Sequence, residues 1–305
     1  MILRSVLFIF WGFYCYLIRP IVKHVLRRIT SKCELLRLTS THARGAALTS
    51  AVEHSMKLSR SPSVRRCLEW SGEFDYDKRI QDIVSVKGIN PEFRTKFSSD
   101  MEYCLKQIHS YAKVVFDAEV LKSTRFDLKR SDHCALLDQL WSSLGADYTD
   151  GTKERKWSLL GFQSNDPSTD FRGMGLLSLG NMIYFSCKYT DLARSCLSAS
   201  NHPERWYPFS VVGINLTEMM YVFLKNGDLK NQLYNMNPEP TLKDFQETYS
   251  FIFAAFHNFW MASPKDIMQF NVYREQFRRG LERRLRSTDC KLAFSLLDQK
   301  YSHKQ

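Results

Sequence analysis

Apolar residues recur three or four positions apart along most of this 305-residue chain, and that spacing is typical of amphipathic α-helices. In the stretch 241–260, for instance, Phe245, Tyr249 and Phe253 fall on one helical face. No stretch alternates apolar and polar residues persuasively enough to predict a β-strand, and the sequence has no internal repeat. The pattern therefore predicts an all-α fold. Its predicted helices cover 21–37, 74–86, 93–121, 131–144, 175–189, 191–200, 207–224, 241–260 and 263–285.

Capping and helix-breaking residues mark the ends of these helices. Thr241 and Asp244 have the spacing of a capping box, and Pro264 is predicted to open the last helix, because proline is favourable in a first turn. Two stretches lack helical spacing. Residues 39–66 are rich in Ser, Thr, Ala and Arg and are predicted to form a linker, whereas the polar residues 145–156 are predicted to form a loop.

The composition is that of a folded chain with a basic N-terminal part. Hydrophobic residues make up 44% and charged residues 25% of the chain, which allows a substantial core and excludes a disordered chain or a multi-span membrane protein. The net charge is +11, and residues 1–66 account for +10 of it, with twelve Lys or Arg against two acidic residues. A nucleic-acid-binding domain would carry its basic surface on the folded body, so we expect no nucleic-acid partner.

The N-terminus combines an uncharged, aromatic-rich stretch, residues 5–18, with a basic stretch that follows it. This order predicts that residues 1–32 bind a membrane surface and that the body stays on the cytoplasmic face of an intracellular membrane. A helix buried in the core and a cleaved signal peptide are the alternatives, although Arg19-Pro20 after the apolar run is a poor cleavage site.

These patterns divide the chain into three parts. Residues 1–38 form the predicted membrane-anchoring helix, residues 39–90 a linker with one accessory helix, and residues 91–300 a single multi-helix domain. Because the basic excess ends near residue 66, the predicted domain is nearly neutral.

Signatures of established enzyme classes are missing from the sequence. It has no Walker-type phosphate loop, no Gly-x-Ser-x-Gly elbow and no His-Glu-x-x-His motif. Its eight cysteines contain no Cys-x-x-Cys pair, so we expect mostly buried, reduced thiols and no metal site. His109, His133 and His257 lie on predicted helices without an evident partner, and they are weak candidates for a general base.

The most unusual segment, residues 157–184, contains a polar loop held between apolar anchors. Trp157, Phe162 and Phe171 are predicted to pack beneath this loop and hold its shape. The alternative is that the three rings are ordinary core residues. The two interpretations overlap, because a ring that supports a loop is also buried.

Arg172 is predicted to lie at the start of the helix over 175–189, where a cation is unfavourable because a helix N-terminus is already partly positive. Its presence therefore indicates a nearby anion. That anion is either an acidic residue of the loop, Asp166 or Asp170, or an external group such as a phosphate. The residues leave both alternatives open.

Several blocks of the sequence resemble the ELMO domain family. The first is the loop itself, with Gly161-Phe162-Gln163, Asp166-Pro167 and the run 169–175, which reads Thr-Asp-Phe-Arg-Gly-Met-Gly. Further similar blocks are Lys32-Cys33-Glu34-Leu35, Ile89-Asn90-Pro91, Asn201-His202-Pro203, residues 212–219, Phe259-Trp260 and residues 267–271. The sequence departs from the family at Ser164-Asn165, where Gly-Asp is usual. The resemblance covers most of the chain and implies a helical ELMO-type domain.

The resemblance implies a GTPase-activating protein for Arf-family and Arf-like small GTPases in their GTP-bound form. Arg172 corresponds to the family's catalytic arginine and would act as an arginine finger supplied in trans. No cofactor is implied for this chain, since the nucleotide and Mg²⁺ belong to the GTPase, and the chain itself is not implied to be an enzyme. The loop residues that would support Arg172 are Trp157, Phe162, Gln163, Asp166, Asp170, Phe171 and Gly173.

Larger ELMO proteins imply an alternative function, that of a non-catalytic, membrane-tethered adaptor for regulators of small GTPases. An adaptor does not need Arg172, whereas an arginine finger cannot be replaced even by Lys, which lacks the planar guanidinium. Substitution of this one residue therefore separates the two hypotheses.

Overall fold

The computed structural model describes residues 18–70, 72–145, 156–164 and 166–295. Within these residues it consists of α-helices and short 3-10 helices without a β-strand, which confirms the all-α prediction. The α-helices are α1 Arg19–Thr30, α2 Glu34–Thr41, α3 Ala46–Lys57, α4 Pro62–Arg66, α5 Tyr76–Lys87, α6 Pro91–Ser123, α7 Ser131–Leu144, α8 Gly175–Lys188, α9 Thr190–Ser200, α10 Phe209–Asn226, α11 Lys230–Met236, α12 Leu242–Met261 and α13 Phe270–Leu285. The 3-10 helices are Trp157–Leu160, Pro167–Arg172 and Ile267–Gln269.

The chain divides into two compact units, Met1–His109 and Ser110–Gln305. The 33-residue helix α6 supplies residues to both. The division thus falls inside a helix, whereas the sequence places the start of its domain at residue 91, where α6 begins.

The linker predicted over 39–66 is wrong, because most of this stretch folds into α3 and α4 in the core of the first unit. Leu48, Val52 and Met56 follow at intervals of four along α3 and are fully buried, and α3 packs against α2. The polar residues between them are satisfied inside the protein, as when the Thr49 hydroxyl donates to Oε1 of Gln107 at 2.5 Å. The serine- and threonine-rich composition of this stretch does not indicate a helix, because the apolar face of α3 is narrow.

The single helix predicted over 21–37 is two helices. Ser31 has a positive φ of 53°, which ends α1 in the left-handed conformation. Cys33 then caps α2, its sulfur accepting a hydrogen bond from the Leu36 N–H at 3.5 Å. The apolar spacing continues through this break, so periodicity alone does not reveal it.

The second unit is arranged around α8, which packs against α7, α10 and α12. Leu177, Leu179 and Phe185 are buried on its inward side, together with the polar residues Ser178, Asn181 and Ser186. The capping box predicted at the start of α12 is present, with Oδ2 of Asp244 accepting from the Thr241 N–H at 2.7 Å.

The last helix begins later than predicted. Asp266 accepts a hydrogen bond from the Met268 N–H at 2.9 Å and caps a separate 3-10 turn, so α13 starts only at Phe270 and Pro264 lies outside any helix. The short helix α11 has no counterpart in the prediction. Of the predicted loop over 145–156, residues 146–155 lie outside the described residues.

Candidate functional site

The polar loop before α8 is fastened at its first end to the start of α10. Gly161, which ends the 3-10 helix Trp157–Leu160, has a φ of +77°, and a Cβ there would lie 2.3 Å from the backbone nitrogen of Phe209. Only glycine allows this approach. The Ser210 hydroxyl adds a hydrogen bond of 2.6 Å to the carbonyl of Leu160. The loop therefore starts from a fixed point on a buried helix.

Its second end is fastened to the end of α6. Gly175 has a φ of +50°, and a Cβ on it would lie 2.4 Å from the carbonyl oxygens of both Lys122 and Thr124. The Leu176 N–H donates to the Thr124 carbonyl at 3.0 Å. This contact places the segment that follows α6 directly beside the loop.

The acidic side chains of the loop bind its own backbone. Asp166 accepts from the Ser168 N–H at 2.9 Å and caps the 3-10 helix Pro167–Arg172. Oδ2 of Asp170 accepts from the Gln163 N–H at 3.0 Å, which ties the two halves of the loop together. Burial raises the pKa of the Asp170 carboxyl, and this hydrogen bond partly opposes the rise.

A row of aromatic rings lies beneath the loop. Ring centroids are 5.1 Å apart for Trp141 and Trp157, 5.9 Å for Trp157 and Phe162, and 5.6 Å for Phe162 and Phe171. Phe171 continues the row to Phe126, at 5.3 Å, in the segment after α6. Phe162 and Phe171 are 4% and 1% exposed, so the rings form a closed apolar support.

Arg172 is the last residue of the 3-10 helix Pro167–Arg172, and its side chain is exposed. The helix over 175–189 begins at Gly175 as predicted, but Arg172 lies three positions before it, at the C-terminal end of the 3-10 helix, where a cation is favourable. Among the described residues its guanidinium forms no hydrogen bond or ion pair, so neither Asp166 nor Asp170 is its partner. The internal ion pair that the sequence left open is absent from this part of the chain.

Arg172 lines a cavity of about 210 Å³ together with Arg125, Phe126, Ser168 and Phe171. Arg125 is also exposed and, within the described residues, has no hydrogen bond or ion pair. Two arginines and a serine above an apolar floor suit an anion, because the planar guanidinium group binds carboxylate and phosphate through paired hydrogen bonds.

The sequence prediction names the loop residues but misses Arg125. Gln163 and Gly173 are exposed, and a Cβ on Gly173 would meet nothing within 4 Å. Arg125 lies in the segment between α6 and α7, 47 positions before Arg172, and only the contact of α6 with the start of α8 brings the two together. No local motif marks it.

The three histidines considered as general bases serve structural contacts instead. Nε2 of His109 lies 2.9 Å from a backbone carbonyl, and Nδ1 of His133 accepts from the Asp127 N–H at 3.0 Å. Nδ1 of His257 is hydrogen-bonded to the Tyr207 hydroxyl at 2.7 Å, and burial lowers the pKa of His257 to about 4. None of them lines the arginine cavity.

The N-terminal helix α1 presents an apolar face to solvent. Ile21, Val25 and Ile29 follow at intervals of four and are exposed, Ile29 by 75%. The other side of α1 is held by Glu34, which forms ion pairs with Arg19, at 3.0 Å, and with Lys23. Burial alone would raise the pKa of Glu34, but these partners and a neighbouring hydroxyl hold it below its ordinary value.

The membrane-anchoring segment predicted over residues 5–18 lies, except for its last residue, outside the described residues. Among the helices that the structure does describe, none combines the length and apolar character needed to cross a membrane.

Comparison with known proteins gives one consistent family. The model of the ELMO/CED-12 family matches residues 117–274, from within α6 to α13. ELMO domain-containing protein 2 of Homo sapiens is 39% identical over 287 residues, covering 93% of this chain and 97% of that protein. ELMO domain-containing protein 1 of Mus musculus is 34% identical over 310 residues, with 95% of each chain covered. ELMO domain-containing protein B of Dictyostelium discoideum is 32% identical over 273 residues, covering 88% of this chain and 92% of that protein.

Proposed function

Because this chain belongs to the ELMO/CED-12 family, we propose that it is a GTPase-activating protein for Arf-family and Arf-like small GTPases. The observation that carries the proposal is the position of Arg172, exposed at a cavity, on a braced loop, and without an ionic partner among the described residues. An arginine that served only the fold would be expected to bind the acids of its own loop. Those acids bind backbone N–H groups instead.

In this function Arg172 donates hydrogen bonds to the γ-phosphoryl oxygens of GTP, where negative charge is shared in the transition state. An arginine supplied in this way accelerates hydrolysis by about 10³–10⁵-fold. The attacking water, the nucleotide and Mg²⁺ lie on the GTPase, so this chain activates a hydrolase and has no hydrolytic site of its own.

The loop's contribution is to hold the backbone at Arg172 in place before the partner arrives. The buried rings of Phe162 and Phe171 and the hydrogen bond from Gln163 to Asp170 limit the motion of the segment that carries Arg172. A residue on an ordered segment loses less entropy on binding than a residue on a mobile segment, and it is better placed for the transition state.

The first test is the substitution Arg172→Lys, measured by single-turnover GTP hydrolysis with a panel of Arf-family GTPases. We expect stimulation to fall at least about 100-fold, because Lys keeps the charge but lacks the planar fork. The helical spectrum and melting temperature should stay unchanged, since the side chain is exposed and unpaired among the described residues.

The matched control is Arg130→Lys, an exposed arginine between α6 and α7 that pairs with Asp132 at 2.7 Å and does not line the cavity. It should retain full stimulation. If Arg172→Lys keeps more than about a tenth of the wild-type stimulation, the finger lies elsewhere. If the wild-type chain binds GTP-loaded GTPase without accelerating hydrolysis, the adaptor function replaces this proposal.

We also propose that the N-terminal part docks the protein on an anionic membrane surface. The exposed apolar face of α1 would enter the interface, while the exposed Arg28 contacts lipid phosphates. The ion pairs of Glu34 with Arg19 and Lys23 keep the opposite side of α1 on the protein. This orientation supports docking of the helix parallel to the membrane.

A further inference from the structure

We propose that Arg125 is a second phosphate-binding residue of the site, which contacts the polyphosphate of the partner's GTP beside Arg172. The inference rests on the proposed function in one respect, the identification of the bound anion as the partner's GTP. The anion site itself does not depend on that function. It starts from the cavity of about 210 Å³ that both arginines line.

The backbone on both sides of Arg125 is fixed. Before it, the carbonyl of Thr124 accepts from the Leu176 N–H at 3.0 Å. After it, the buried ring of Phe126 lies 5.3 Å from Phe171. Arg125 therefore projects from a rigid segment, although its own side chain is exposed.

The charges around Arg125 suit an anionic ligand. Arg125 and Arg172 face one cavity, and neither forms an ion pair in the described part of the chain. The nearest acidic residue in sequence, Asp127, accepts from the Lys129 N–H at 2.8 Å. A multiply charged anion in this cavity would be attracted by both guanidinium groups.

A nucleotide polyphosphate fits this arrangement better than a single carboxylate. It carries several charges along a short chain, so two arginines of one cavity can contact it at the same time. The Ser168 hydroxyl, which also lines the cavity, offers a further hydrogen bond. Arg172 would contact the γ-phosphoryl group, and Arg125 an oxygen next to it.

The test compares Arg125→Ala with Lys129→Ala in the full chain, by single-turnover GTP hydrolysis. Lys129 is an exposed cation of the same segment that does not line the cavity, so its removal controls for net charge. We expect Arg125→Ala to lower stimulation by about 10–100-fold, the range for a lost hydrogen bond between charged groups. Lys129→Ala should remain within about twofold of wild type.

A second arm titrates pyrophosphate into the chain alone and follows binding by NMR. We expect Arg125→Ala and Arg172→Ala each to weaken binding about tenfold or more, and Lys129→Ala to leave it unchanged. If the wild-type chain accelerates no GTPase, the proposed function fails, and this arm alone decides whether Arg125 binds phosphate.

Two results would overturn the inference while the proposed function stands. One is that Arg125→Ala stimulates hydrolysis like Lys129→Ala. The other is a loss of stimulation in Arg125→Ala with unchanged pyrophosphate binding, which would assign Arg125 to a contact with the GTPase protein instead of its nucleotide.

Discussion

Gly175 lies where the loop that carries Arg172 meets the segment that carries Arg125. It lies three positions after Arg172, and its backbone touches the end of α6, two positions before Arg125. The absence of a side chain at this position allows the carbonyl groups of Lys122 and Thr124 to approach. The arrangement of the site therefore depends on a glycine, which has no side chain to contact a ligand.

We predict that Gly175→Ala destabilises the protein by about 1–3 kcal/mol, because the added Cβ meets backbone oxygens and a φ of +50° is strained for alanine. Urea unfolding measures the loss, and the stimulation of hydrolysis should fall as well. The control is Gly180→Ala in α8, where a Cβ would lie 3.6 Å from the side chain of Gln246. That variant should be as stable as wild type or gain up to about 1 kcal/mol.

Among the described helices, α1 has an apolar face that remains exposed along its length. Its residues Ile21, Val25 and Ile29 would normally be covered in a folded chain, yet the ion pairs to Glu34 turn the polar side inward. A helix with this arrangement gains free energy where an apolar phase and anionic groups meet, as at a membrane interface.

We predict that replacing Ile21, Val25 and Ile29 together by Ser lowers binding to phosphatidylserine-containing vesicles at least about tenfold, since each loses roughly 1 kcal/mol of transfer free energy. Vesicle sedimentation measures the binding, and the melting temperature of the variant should equal that of the wild type. The control pair, Met268→Ser and Val272→Ser, removes equally exposed apolar residues elsewhere, Met268 being 88% exposed. Equal loss of binding in the control would contradict a specific role for α1.

At the scale of the whole molecule, the stability of the fold depends on pH through His257, which the core of the second unit keeps neutral. His257 lies on α12 among aromatic residues, and its ring is hydrogen-bonded to Tyr207. Burial lowers the pKa of His257 from 6.5 to about 4, so the unfolded chain binds a proton more readily than the folded one. The stability from this residue is therefore complete above pH 6.5 and is lost as the pH falls towards 4.

We predict that lowering the pH from 7.5 to 5 costs about 1–2 kcal/mol of unfolding free energy through His257, a figure reduced for its partial exposure. His257→Gln, whose amide oxygen can still accept from Tyr207, should lose correspondingly less stability between the two pH values. Denaturant unfolding at both pH values measures the difference. A pH dependence of His257→Gln that is identical to that of the wild type would refute the assignment.

The sequence by itself determined the features that depend on neighbours along the chain. Helical spacing predicts the helices of the second unit other than α11, and Thr241 with Asp244 predicts a capping box that the structure contains. The motif around Arg172 indicates the family, which the comparisons confirm. These features are readable because capping, turns and side-chain periodicity involve residues only a few positions apart.

Only the tertiary structure decided the features that depend on distant contacts. It shows that the polar stretch 39–66 has a buried helical face, that Arg172 is not paired with its neighbouring acids in the described residues, and that Arg125 shares its cavity. The meeting of the two arginines follows from a contact between Gly175 and the end of α6, some 50 positions earlier in the chain. Such a contact leaves no periodic trace in the sequence, because the free energy that forms it comes from packing between helices and not from local propensity.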